Sequence, residues 1–199
     1  MTDLVLLHGG NHGSWCWKPF VEALNQQPGC FKRVITLDMP GCGKKRGRDV
    51  ASLRLDDVVK ELNDDLHALG VNQAVLLGHS IAGVVLPMMV LAAPQLYSQL
   101  VYLACALPSE GQSILELLGT TLHGESPEHV GWPLDPAHTT PQALAVAMFG
   151  QDLSEQTMSW LLSEASQDTT PLCVATDSIS RAGYLGMIPA SYIITLRDN

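Results

Sequence analysis

The sequence predicts an α/β fold: a mostly parallel sheet flanked by helices, with a small helical cap. Three observations carry this. Apolar runs of strand length recur at Leu4 to Leu7, Ala74 to Gly78 and Leu100 to Ala106, without the polar alternation of a strand that has one wet face, and Val34 to Leu37 reads as a further strand. Segments with helical spacing lie between them, and strand–helix–strand order implies right-handed parallel crossovers. In one stretch, Gln73 to Gly83 (QAVLLGHSIAG), strand passes into helix with a single serine at the turn.

Composition sets the outer limits. The 199 residues, 46% hydrophobic, suit one globular domain with a substantial core. A net charge of −9 and a pI near 5.0 argue against nucleic acid and anionic membrane as partners. No apolar run approaches the ~20 residues that span a bilayer. The N-terminus shows no charged region leading into a signal-type core. Cys16, Cys30, Cys42, Cys105 and Cys173 are odd in number and scattered, with no C-x-x-C pair. Free thiols in a reducing cytoplasm are expected, with no metal site and no cofactor.

Taken in order, Leu4 to Leu7 is the first strand and ends in His8-Gly9-Gly10-Asn11-His12-Gly13, too glycine-rich for regular structure. Trp15 to Leu24 resumes helical spacing, with Trp17, Phe20, Val21 and Leu24 able to share a face. Val34 to Leu37 is closed by Asp38-Met39-Pro40-Gly41. The loop from Asp38 to Asp49 carries Lys44, Lys45, Arg46 and Arg48. It lacks the spacing of a phosphate loop, which needs a glycine where Asp38 stands and Ser or Thr where Lys45 stands, so a solvated surface loop is expected. Apolar residues at 55, 58, 59, 62, 66 and 69 make a one-sided helix stopped by Gly70. Pro87 should bend or interrupt the helix after the serine turn.

After Pro108 the strand–helix alternation is lost. Leu115 to Leu118, Ala143 to Phe149 and Met158 to Leu162 look like short helices between polar connections. Residues 109–182 are therefore expected to form a cap inserted in a single domain, 1–199. Tyr192 to Leu196 restores strand character.

The turn itself has a steric reason. A strand that becomes a helix at once holds the turn residue in strained backbone, and only small residues fit two positions to either side. Gly78 and Ala82 flank Ser80 in that way, giving G-x-S-x-A, one methyl from the G-x-S-x-G nucleophile elbow. Such an elbow exposes the serine hydroxyl and aims a helix N-terminus, with its free N–H groups, at whatever the serine attacks.

The first loop HGGNHG, the DMPGCG loop, the elbow GHSIAG, a helical cap and Asp198 after a late strand together resemble the α/β-hydrolase superfamily. Within it they are most similar to the small-cap methylesterase and hydroxynitrile-lyase group. The resemblance implies that Ser80 is the nucleophile and Asp198 the acid that orients a histidine. It implies backbone oxyanion donors at Gly10 and Ile81. His8 and His12 are then structural, His79 points away from the hydroxyl, His67 is solvated, and His123, His129 and His138 lie in the cap. The family's catalytic histidine follows one further strand beyond Asp198, so a C-terminal strand and helix are expected to be missing from this 199-residue sequence. Their loss would leave the Tyr192 to Leu196 strand as an edge open to pairing in a homodimer.

The implied activity is hydrolysis of small or medium apolar carboxylic esters through an acyl-enzyme, with Trp132, Met148, Phe149 and Trp160 as pocket walls. Two alternatives stand beside it. Lyases of the group usually carry threonine in the first loop and cysteine after the nucleophile, where this chain has Gly9-Gly10 and Ile81. A non-catalytic small-molecule binding protein on the same fold would do without the histidine.

Overall fold

The computed structural model describes residues 1–27, 29–118, 140–184 and 186–196. Five strands, β1 (Leu4–Leu7), β2 (Val34–Leu37), β3 (Ala74–His79), β4 (Tyr97–Leu103) and β5 (Ala190–Ile193), form one sheet in the order β2-β1-β3-β4-β5. Every neighbouring pair is parallel. Alternation along β1 divides its side chains between two layers. Leu4 and Leu6 pack with Trp17 and Leu77, joined by Val21 and Leu24 of α1 (Lys18–Asn25). Val5, Leu7 and Leu76, all fully buried, belong to the other layer, where α3 (Ala82–Ala92) packs on β3 and against α2 (Leu55–Ala68).

The apolar runs locate the strands, and pairing sets their ends. β4 begins three residues before the expected Leu100, because Tyr97 pairs with Ala74 across a bulge at Ser98. The Ser98 hydroxyl donates to the Gln73 and Ala74 carbonyls there, at 2.9 and 3.2 Å. β4 stops at Leu103 because Ala104, at φ 44°, turns the chain. β5 is in register from Leu100↔Ala190 to Leu103↔Ile193. It therefore ends at Ile193, and the expected strand through Leu196 is corrected to Ala190–Ile193.

Helix α2 follows its stripe. Leu55, Val58, Val59, Leu62 and Leu66 are buried, while Leu69 caps the helix half-exposed, and Gly70 takes φ +64° as the stop. The Asp57 carboxylate accepts from the Arg54 N–H at 2.9 Å, tying the first turn. α3 runs through Pro87 without an interruption, one of the two expected effects of that proline. Val84, Val85, Leu86, Met89 and Val90 are all fully buried, so packing on every side holds the helix together despite the missing N–H.

The chain forms two compact units: residues 1–117 with 168–194, and residues 118–167 with the chain from Thr195 on. Of the segment 109–182, residues 109–117 and 168–182 thus belong with the sheet. The first unit also holds most of α4 (Ile114–Leu118) and all of α7 (Cys173–Thr176). In the second unit, α5 (Pro141–Phe149) is capped by Thr140, whose hydroxyl accepts from the Ala143 N–H at 3.1 Å. Ser154 does the same for Thr157 at the start of α6 (Glu155–Ala165).

One buried polar bridge locks α2, α3 and β4 together. Asn63 Nδ2 donates to the Met89 carbonyl at 3.0 Å, and the Tyr97 hydroxyl donates to Asn63 Oδ1. Tyr97→Phe keeps the ring but strands the Asn63 oxygen in the core. The expected loss is about 1–3 kcal/mol of folding stability, read from urea unfolding; an unchanged midpoint would show that the bridge holds nothing.

Candidate active site

Ser80 follows the last residue of β3 and lies at φ 56°, the left-handed region that non-glycine residues rarely enter. Three backbone bonds hold it there. Its N–H donates to the Leu103 carbonyl at 3.3 Å, and its own carbonyl accepts from Gly83 at 3.1 Å and Ala106 at 3.0 Å. The surroundings leave no space for larger neighbours. A Cβ at Gly78 would come within 2.9 Å of both Ala82 Cβ and Leu86 Cδ1, and one at Gly83 within 2.2 Å of the Ala106 oxygen.

The first loop runs directly beside this turn. A Cβ at Gly9 would sit 3.0 Å from Ser80 Cβ, and one at Gly10 would sit 3.1 Å from Ile81 Cδ1. Fully buried His8 fixes the loop. Its Nε2 accepts the Met39 N–H at 3.0 Å, so the proton is on Nδ1, which donates to the Gly9 carbonyl at 2.8 Å. The Gly9 carbonyl and the Gly10 N–H belong to one planar trans peptide and point opposite ways. Anchoring the carbonyl inward therefore turns the Gly10 N–H outward. Among the described residues neither the Gly10 nor the Ile81 N–H has a hydrogen-bond partner. Two such donors beside a serine can hold a developing oxyanion.

Two buried carboxylates brace the loops from behind. Asp38, just past β2, accepts from the Ser14 N–H (2.5 Å), the Ser14 hydroxyl (2.9 Å) and the Lys44 N–H (3.2 Å). Asp168 accepts from Trp15 Nε1 (2.7 Å), the Gly43 N–H (2.7 Å) and Arg46 Nε (2.6 Å). Burial alone would raise the Asp168 carboxyl, but Arg46, the Trp15 indole and the Gly43 N–H outweigh it and hold it below the usual range. The expected solvated loop is corrected here. Gly41 and Cys42 are buried, and Lys45 pairs with Glu61 and Asp65. Carboxylates already occupy the Gly43 and Lys44 N–H groups that a phosphate would need.

A model of the alpha/beta hydrolase family matches residues 4–199. The chain belongs to that family. A carbendazim hydrolyzing esterase of Nocardioides sp. is 30% identical over 126 residues, 63% of this chain and 50% of the relative. Methylesterase 9 of Arabidopsis thaliana is 25% identical over 213 residues, covering 100% of this chain and 80% of the relative. The chain spans half or less of several curated relatives that it matches, between 29% and 50% of their length. Among solved structures, an extracellular alpha/beta-hydrolase from a Paenibacillus species superposes with a TM-score of 0.74 at 19% identity. That likeness covers 96% of this chain and 76% of the other, and it shows the fold.

In this alpha/beta hydrolase the structure brings Ser80, Gly10 and Ile81 together. Asp198 and Trp132 lie outside the described residues, as do His123, His129 and His138. Met148 and Phe149 are half-buried on α5 and Trp160 is 38% exposed on α6, all within the second unit. His67 is exposed on α2, and the His79 ring lies near Gly9, with Nδ1 3.1 Å from where a Cβ there would stand. Sequence reasoning missed Asp38, Trp15 and Asp168. Asp38 carried a usable signal, a carboxylate at a buried strand end; Asp168 carried none, since its partners lie more than a hundred residues away. No described helix is long and apolar enough to cross a membrane.

His8 gives the site a pH dependence. Burial pushes its pKa down to about 4 from 6.5, and burial also lowers that of His12. Between pH 6.5 and 4 the unfolded chain binds a proton that folded His8 refuses. Stability is therefore full above pH 6.5 and falls as the pH drops to 4, by about 3 kcal/mol from His8 alone. Urea midpoints followed by circular dichroism should decline steadily from pH 7 to 4.5; a flat profile would contradict the neutral, buried imidazole.

Proposed function

We propose that this protein is a serine esterase that cleaves small or medium apolar carboxylic esters through an acyl-enzyme. The observation that carries the reading is the pair of N–H groups, Gly10 and Ile81, that have no partner among the described residues and lie beside a serine at φ 56°. Ser80 Oγ adds to the ester carbonyl while its proton passes to an imidazole. The tetrahedral oxyanion takes hydrogen bonds from Gly10 and Ile81, the alcohol leaves with the proton, and water repeats the sequence to release the acid. The esterases among its relatives support the ester as substrate.

The imidazole is not His8, whose two ring nitrogens are engaged with Gly9 and Met39. His12 holds the Gly10 carbonyl through Nδ1 at 2.7 Å. The family resemblance implies an imidazole oriented by Asp198. Half-buried Cys16 and buried Cys42 and Cys105 do not compete as nucleophiles: desolvation pushes each thiol up to about 12. All five cysteines are free, which supports a cytoplasmic setting. Gly9-Gly10 and Ile81, in place of threonine and cysteine, favour hydrolysis over cyanohydrin cleavage.

A fluorophosphonate probe should label Ser80, and Ser80→Ala should abolish labelling together with turnover of a short-chain p-nitrophenyl ester, a fall of roughly 10⁶ in kcat. Labelling that survives the substitution would overturn the assignment. Saturable ligand binding without turnover in the unaltered protein would mark it as a binding protein instead.

Gly10→Pro removes one oxyanion donor. A folded variant should lose about 10²–10³ in kcat, and unchanged turnover would exclude Gly10 as a donor.

A further inference from the structure

We propose that Thr170 and Asp168 are positioning residues for the oxyanion donor at Gly10. The inference rests on the esterase reading and deepens it. Glycine has the freest backbone of any residue, so a glycine N–H stays aimed only if both flanking peptide planes are held from outside. His8 holds the plane before Gly10.

The plane after it, between Gly10 and Asn11, is held by Thr170 on one side and by His12, backed through Trp15 by Asp168, on the other. The Asn11 N–H donates to Thr170 Oγ1 at 2.7 Å, which keeps Asn11 in the left-handed region at φ 51°. On the other side the Gly10 carbonyl accepts from His12 Nδ1 at 2.7 Å. The His12 ring stacks on Trp15 with centroids 5.2 Å apart and planes at 17°. Trp15 in turn donates its indole N–H to Asp168.

The gripping segment is itself anchored. The Asp168 side chain has no solvent exposure and pairs with Arg46 through Nε at 2.6 Å and a terminal nitrogen at 3.1 Å. The Thr169 N–H donates to the Gly41 carbonyl at 3.0 Å, and a Cβ at Gly41 would lie 2.3 Å from the Thr169 oxygen. Gly10 thus has φ fixed by His8 and ψ fixed by Thr170 and His12, while its own N–H has no partner among the described residues.

Thr170→Val preserves shape and deletes the acceptor for Asn11. In the full-length protein it should lower kcat roughly tenfold, the scale of a small misplacement at a reacting centre, with KM within about twofold. Affinity for a boronic acid that mimics the tetrahedral intermediate should fall in parallel. Thr170→Ser, which keeps the hydroxyl, should recover most of kcat; a merely structural contact would show neither the kcat-against-KM split nor this rescue. Asp168→Asn, where it folds, should act in the same direction, and where it does not the Thr170 pair decides the matter. Unchanged kcat and boronate affinity in folded Thr170→Val would overturn the proposal. The esterase reading fails separately, if Ser80→Ala retains turnover.

Discussion

Where β3 meets α3 there is room for a hydrogen or a methyl and nothing larger, and much of the fold is arranged around that lack of space. Gly78 faces Ala82 and Leu86, Gly83 faces the Ala106 carbonyl, and Gly9 faces Ser80. Holding Ser80 in the left-handed region costs on the order of 1–3 kcal/mol, which the neighbouring structure must offset. The end of β4 does so directly, through Leu103 and Ala106. It is reinforced by Cys105, whose thiol donates to the Gly78 carbonyl at 3.1 Å and whose carbonyl accepts from the Tyr192 hydroxyl at 2.7 Å. The turn is thus braced from β4 and, through Tyr192, from β5.

The second requirement is electrostatic. Buried backbone N–H groups nearly always have partners, because leaving one unpaired costs about as much as a lost hydrogen bond. Around the first two loops side chains take up several of them: Asp38 and Asp168 absorb the N–H groups of Ser14, Gly43 and Lys44, and Thr170 absorbs that of Asn11. The N–H groups of Gly10 and Ile81, beside Ser80, are left without a partner among the described residues. The same carboxylates answer the question raised by the basic loop. Three of its four basic side chains pair internally, Lys45 with Glu61 and Asp65, Arg46 with Asp168 and Arg48 with Glu61.

The sequence by itself determined whatever depends on neighbours a few residues apart. An unbroken apolar run placed β1 to the residue, because burial on both faces leaves no position for a polar side chain. The stripe from Leu55 to Leu66 and the stop at Gly70 gave α2, since helical period and a left-handed cap are local properties. Gly78-His79-Ser80-Ile81-Ala82 announced the turn, because the steric limit that selects small residues acts within that same pentapeptide. Tertiary structure decided the rest. The ends of β4 and β5 follow from pairing register, which no single strand contains. α3 continues through Pro87 because packing around it outweighs one missing hydrogen bond. The apparently solvated basic loop is partly buried because Asp168, more than a hundred residues later, meets Gly43 and Arg46. Those contacts join residues with no shared period or motif, so only the folded chain could bring them to the same place.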